Sequence, residues 1–221
     1  MLNDISNARR ATILIGLVLA LVLPLLLPFL GLQEYAERTL RLGPLIGREV
    51  IWWSLIAVLL LYILIIERRT LASIGLRKPD WKTVAFGIGG TIVMLVGVGA
   101  LISVALPLLH LQRNADALQK ILDTPYWYRV ILVFRAAIAE EILFRGYGIE
   151  RIQELTGSRV IAGVVTLAVF TLGHLSYWGW AQVLIAGSAG LVLTALYQWR
   201  RDLGANMIVH FLTDAIGVLT R

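Results

Sequence analysis

Seven apolar stretches dominate this chain, at about 11–31, 50–66, 83–106, 127–147, 159–175, 181–199 and 204–220. Most approach the roughly 20 residues a helix needs to cross ~30 Å of hydrocarbon. Inside lipid every backbone polar group must be satisfied by the chain itself, and continuous apolar runs of this length select the helix over the barrel. Composition agrees: 58% of the 221 residues are hydrophobic and 15% charged, with a mean hydropathy of +0.80. A soluble domain sits nearer half apolar and a quarter charged. The expected fold is all-α, a polytopic transmembrane helical bundle of about seven (seven to eight) spans. With no repeat, low-complexity tract or Ser/Gly linker, residues 1–221 read as one integral membrane domain.

The first stretch follows a basic pair, Arg9 and Arg10, as a secretory signal would. Its apolar run is too long and no small-residue cleavage site follows, so it is expected to be a retained helix, kinked at Pro24 and Pro28. Lys and Arg set the orientation. One set of span ends carries Arg9, Arg10, Arg68, Arg69, Arg77, Lys78, Lys82, Arg151, Arg159, Arg200 and Arg201. The opposite set carries Arg38, Arg41, Arg48, Arg113, Lys120, Arg129 and Arg221. This asymmetry predicts a protein of the plasma (inner) membrane with a cytoplasmic N-terminus and an external C-terminus. The net charge of +6 is thereby explained by topology, and no nucleic-acid partner is expected. Membrane lipid is the expected surrounding, and the sequence leaves the oligomeric state open.

Trp52, Trp53, Trp81, Tyr126 to Tyr128, Tyr177 to Trp180, Tyr197 and Trp199 fall at expected span ends, where amphipathic rings sit. Gly87, Gly89, Gly90, Gly97 and Gly99 of the third span are expected to let helices pack closely. The polar stretches 67–82 and 110–125 read as loops. The absence of cysteine excludes disulfides, thiol nucleophiles and thiolate metal sites.

Against this background "AEEILFRG", residues 139–146, places Glu140, Glu141 and Arg145 inside an expected span. Each such group costs about 2.5–3.5 kcal/mol at a helix centre, so the three carry a gross penalty of roughly 8–10 kcal/mol. Groups kept at that cost are paired, wetted or useful. Glu141 and Arg145, four apart, share a helix face and are expected to pair. Glu140 is rotated about 100° from Glu141 and reads as the free carboxylate; alternatively, all three form one structural cluster. His174 closes "FTLGH" near the end of the fifth span, and His210 precedes Asp214 by one turn in the seventh. A helix bundle can gather such groups from three helices into its core. His110, beside a polar loop, is expected to be interfacial.

In these motifs the chain resembles the CPBP group, the intramembrane endopeptidases related to the type II CAAX prenyl proteases and to bacteriocin-processing or immunity proteins. Glu140, Glu141 and Arg145 match its Glu-Glu-x-x-x-Arg motif. Phe170 and His174 match Phe-x-x-x-His, and His210 and Asp214 match His-x-x-x-Asn/Asp. The resemblance covers a protease-like core at about 126–220. It implies hydrolysis of a peptide bond by activated water, on a membrane-embedded or lipid-modified peptide substrate such as a protein C-terminus. Glu140 would be the general base and His174 would hold the water or relay its proton. His210, oriented by Asp214, would stabilise the oxyanion, with Glu141, Arg145 and Phe170 supporting the site.

An ionised Asp214 cannot donate the hydrogen bond that Asn would. It is therefore protonated by burial, acts through His210, or faces a cation. No cofactor is favoured. Zn²⁺ remains possible, with Glu140, His174, His210 and Asp214 as candidate ligands. The competing readings are a proton-coupled transporter using the same Glu/Arg/His cluster, a serine-type protease built on Ser188 in "AGSAG", and a non-catalytic membrane immunity or scaffold protein.

Overall fold

A computed structural model describes residues 6–221, and among them it shows nine helices and no strand. The helices are α1 (Asn7–Phe29), α2 (Leu32–Arg38), α3 (Pro44–Ile66), α4 (Trp81–Leu108), α5 (Ala115–Leu122), α6 (126–156), α7 (Arg159–Trp178), α8 (Ala181–Arg200) and α9 (Leu203–Leu219). All seven expected spans are present as helices, in an all-α bundle. Five of them, α1, α3, α4, α7 and α8, are long and apolar enough to cross a membrane. The other two fall short for instructive reasons. Helix α6 carries too many charges, and α9, at 17 residues, is too short.

Two short helices occupy connections. Helix α5 lies within 110–125, which was expected to be loop throughout. Asn114 caps it by accepting from the Ala117 amide and donates to the Tyr177 carbonyl at the end of α7. Asp80 caps α4 in the same manner, as part of a capping box with Thr83. The Thr83 amide holds the Asp80 carboxyl below its usual range. His110 is exposed in the turn after α4.

Helix α6 is the hub, packed by α1, α3, α7, α8 and α9. One apolar cluster joins it to α1, α3 and α7 through Leu21, Leu59, Ile63, Leu143, Tyr147 and Phe170. A second joins α4, α8 and α9 through Met94, Ile102, Leu193, Leu196 and Val209. Of the five glycines in α4, Gly87 and Gly90 do admit close packing. A Cβ on either would lie 2.6 Å from Ile208 or Val209 of α9. Gly89, Gly97 and Gly99 meet nothing within 4 Å, so small-residue packing does not account for them.

The arginine-rich end of the bundle is tied by ion pairs. Glu154 of α6 pairs with Arg9 and Arg69, each at 2.7 Å. Arg151 pairs with Glu67 at 2.5 Å, and Arg201 with Glu150. These contacts explain why α6 runs nine positions past its expected end at 147. Its last charges meet complementary charges from the start of α1, from the connection after α3 and from the end of α8. Gly75, with φ +76°, lies beneath Tyr197, where a Cβ would meet the ring at 2.8 Å. Its carbonyl accepts from the Leu203 amide, which seats the start of α9 inside the molecule.

At Gly16 of α1 a Cβ would lie 1.6 Å from Tyr147 Oη, the atom that donates to Glu67 at 2.7 Å. Gly16→Ala is therefore expected to expel Tyr147 from that bond and to cost about 1–3 kcal/mol, the usual range for overpacking. Thermal unfolding in detergent measures it as a lowered midpoint.

Candidate active site

Up to Glu140, α6 winds with ordinary α-helical turns. From Glu141 to Ile149 it widens into π-helix, and all nine residues of that segment are buried. Shorter widened segments also occur in α1, α3 and α4, so it is the burial of this one, and the charges it carries, that set it apart. Gly148 admits α7 here, since a Cβ would meet Thr166 at 2.8 Å.

Glu141, with no exposed side-chain surface, is held from three sides. Arg145 Nη1 is 2.9 Å from Oε1, Asn206 Nδ2 donates to Oε2 at 3.0 Å, and His210 Nδ1 is 2.9 Å from Oε1. Arg145 also donates to the Gly190 carbonyl, and its guanidinium lies 4.2 Å above the Phe170 ring. Phe170 packs edge-on against Phe144, and its carbonyl lies 2.8 Å from His174 Nδ1.

These contacts fix both imidazoles. A carbonyl only accepts, so His174 Nδ1 carries the proton and Nε2 is turned away from its own helix. The Glu141 oxygen facing His210 is the one paired with Arg145, so His210 Nδ1 likewise carries a proton. Both Nε2 atoms then face the same atom, Glu140 Oε2, at 3.8 Å for His174 and 3.9 Å for His210. That oxygen is buried without a hydrogen-bond partner among the described residues.

The structure thus brings Glu140, His174 and His210 together, and Asp214 joins them with Oδ2 3.4 Å from His210 Nε2. Asp214 shares the His210 nitrogen that faces Glu140, while Glu141, from another helix, lies against the other ring nitrogen, Nδ1. The Asp214 side chain is 41% exposed, so burial does not enclose it.

The depth of these groups follows from the fold. His174 follows Arg159 by fifteen positions and so sits roughly 22 Å from that end at ~1.5 Å per residue, and Glu140 precedes Thr156 by a similar sixteen, nine of them in the widened segment. His210 is only seven positions into α9, but that helix starts on the buried Leu203.

Residues 122–216 match the family model of Type II CAAX prenyl endopeptidase Rce1-like. The matched segment contains Glu140, Glu141, Arg145, Phe170, His174, His210 and Asp214. Its match, with the long apolar helices, marks an integral membrane protein and supports membrane endopeptidase as the activity class. No curated protein and no solved structure matches the chain.

Two further features of residues 122–216 lie outside the three motifs. Asn206 lies one turn before His210, so Asn206, His210 and Asp214 form a polar stripe at i, i+4 and i+8 that the sequence does display. Arg135, five positions before Glu140, is buried and pairs with Glu49 of α3 at 3.1 Å, its guanidinium 4.9 Å from the Trp52 ring. Ser188 donates to the Leu184 carbonyl of its own helix at 2.5 Å, a local bond that gives it no nucleophile's setting. Among the described residues no three His, Asp or Glu side chains are arranged to hold one metal ion.

Proposed function

We propose that the protein hydrolyses a peptide bond of a membrane-associated peptide or protein C-terminus, with Glu140 activating the water. The observation that carries this reading is the buried Oε2 of Glu140, without a hydrogen-bond partner among the described residues and faced by two imidazole Nε2 atoms at 3.8 and 3.9 Å. These separations are too long for direct hydrogen bonds. They leave room for one water lying about 2.8 Å from both Glu140 and His174.

Glu140 takes a proton from that water, and the hydroxide adds to the scissile carbonyl carbon. The carbonyl oxygen becomes an oxyanion. His210, as imidazolium, keeps one N–H on Glu141 and offers the other, at Nε2, to this oxygen. Asp214 accepts from Nε2 before substrate arrives and yields it afterwards. Collapse of the tetrahedral intermediate breaks the C–N bond, and the proton held by Glu140 passes to the leaving nitrogen, with His174 as relay. Glu141, Arg145 and Asn206 touch no reacting atom and hold the geometry.

Substrates of this kind arrive from the bilayer, as lipid-modified or membrane-embedded peptides whose backbone reaches Glu140. The excess of Lys and Arg at the end that carries Arg9 and Arg69 supports placing that end in the cytoplasm.

The test is cleavage of fluorogenic peptides, with and without a prenyl or acyl chain, by the purified protein in detergent and with a chelator present. Activity is expected to persist with chelator and to fall about 10²–10³-fold in His210→Ala, the usual loss for an oxyanion donor. Proton flux in vesicles that depends on Glu140, without cleavage of any peptide in detergent, would replace this reading by a transporter.

A further inference from the structure

We infer that Asn206 is a positioning residue for the reaction: by holding Glu141 Oε2 it fixes the carboxylate that aims His210 at the oxyanion. The inference rests on the reading of His210 given above.

Asn206 is fully buried. One amide proton goes to Glu141 Oε2 at 3.0 Å and the other to the Leu193 carbonyl of α8 at 2.8 Å. Both donors are thereby used, and the geometry of the amide is fixed between two helices. Its Oδ1 has no partner among the described residues. An Asn whose acceptor is left unpaired in the interior has been placed for its donors, because an unsatisfied buried oxygen costs stability.

Arg145 and His210 both reach Glu141 Oε1, so neither controls rotation of the carboxylate about its own axis. Asn206 holds the other oxygen and removes that freedom. His210 lies one turn further along the same helix, so one rigid element carries the imidazole and the clamp on its orienting partner. A buried carboxylate with a single held oxygen can swing, and small misplacements of a catalytic donor cost large rate factors.

Asn206→Ala removes the clamp, and Asn206→Leu does so while filling the volume. In the detergent peptidase assay both are expected to lower kcat about tenfold with KM within twofold. In a His210→Ala background the same substitutions are expected to change kcat by less than twofold, because residues acting as a unit are non-additive. A purely structural role would instead lower the rate equally in both backgrounds, and that result overturns the inference. Unchanged kcat in either Asn206 variant, with His210→Ala impaired, overturns it as well. Should His210→Ala itself keep full activity, the parent reading fails and this inference with it. Thermal unfolding of each variant identifies one that has lost its fold, and the remaining variant then decides.

Discussion

Glu140→Gln is expected to lower kcat by about 10²–10⁴-fold, the range contributed by a positioned general base, while KM and the thermal midpoint stay near wild type. The substitution is isosteric; it removes the charge and the ability to take a proton. The fold has little at stake in this side chain. Its Oε2 makes no hydrogen bond among the described residues, and the nearest imidazole nitrogens are 3.8 and 3.9 Å away. Where a side chain contributes chemistry without contributing contacts, activity and stability separate on mutation. Steady-state cleavage in detergent paired with thermal unfolding reads both. A variant that keeps activity within a few-fold would remove Glu140 as the base, and with it the proposed reaction.

The contrast between the two adjacent glutamates was legible in the sequence because a helix periodicity governs it. Four positions separate Glu141 from Arg145, and the pair forms even though the helix widens at that point. Spacing within one helix also placed Asp214 beside His210. What the sequence did not reveal depends on contacts between helices. Glu141 reaches His210 across 69 positions, and Glu49 reaches Arg135 across 86; neither distance follows from a local pattern. The extension of α6 to Thr156 was hidden for a related reason. Glu150, Arg151 and Glu154 look like the polar end of a span until their partners Arg201, Glu67, Arg9 and Arg69 are brought alongside. Asn206 was within reach of the sequence, since it repeats the four-residue spacing of His210 and Asp214. As an uncharged residue it carried no membrane-insertion penalty large enough to draw notice.

The opposite separation is expected at Arg145. Arg145→Ala leaves Glu141 charged in the interior, with Asn206 and His210 as its remaining donors, and strips a donor from the Gly190 carbonyl. It also removes the cation from the Phe170 ring. Removing one partner of a buried pair costs about 3–5 kcal/mol, set against a total stability of about 5–15 kcal/mol for a typical domain. The variant should therefore yield little folded protein and unfold well below the wild-type midpoint. A double variant, Glu141→Gln with Arg145→Met, removes the uncompensated charge and keeps the volume, and a neutral packed pair can be as stable as the ionic one. Most of the lost stability should return in that double variant. Activity should not, because a neutral amide in place of the Glu141 carboxylate cannot hold His210 as the charged group does. Recovery of both together would mean that the Glu141–Arg145 pair serves the fold alone and that His210 is aimed by other contacts. A single Arg145→Ala variant within about 1 kcal/mol of wild type, small against the 3–5 kcal/mol expected, would show that the pair does not brace α6.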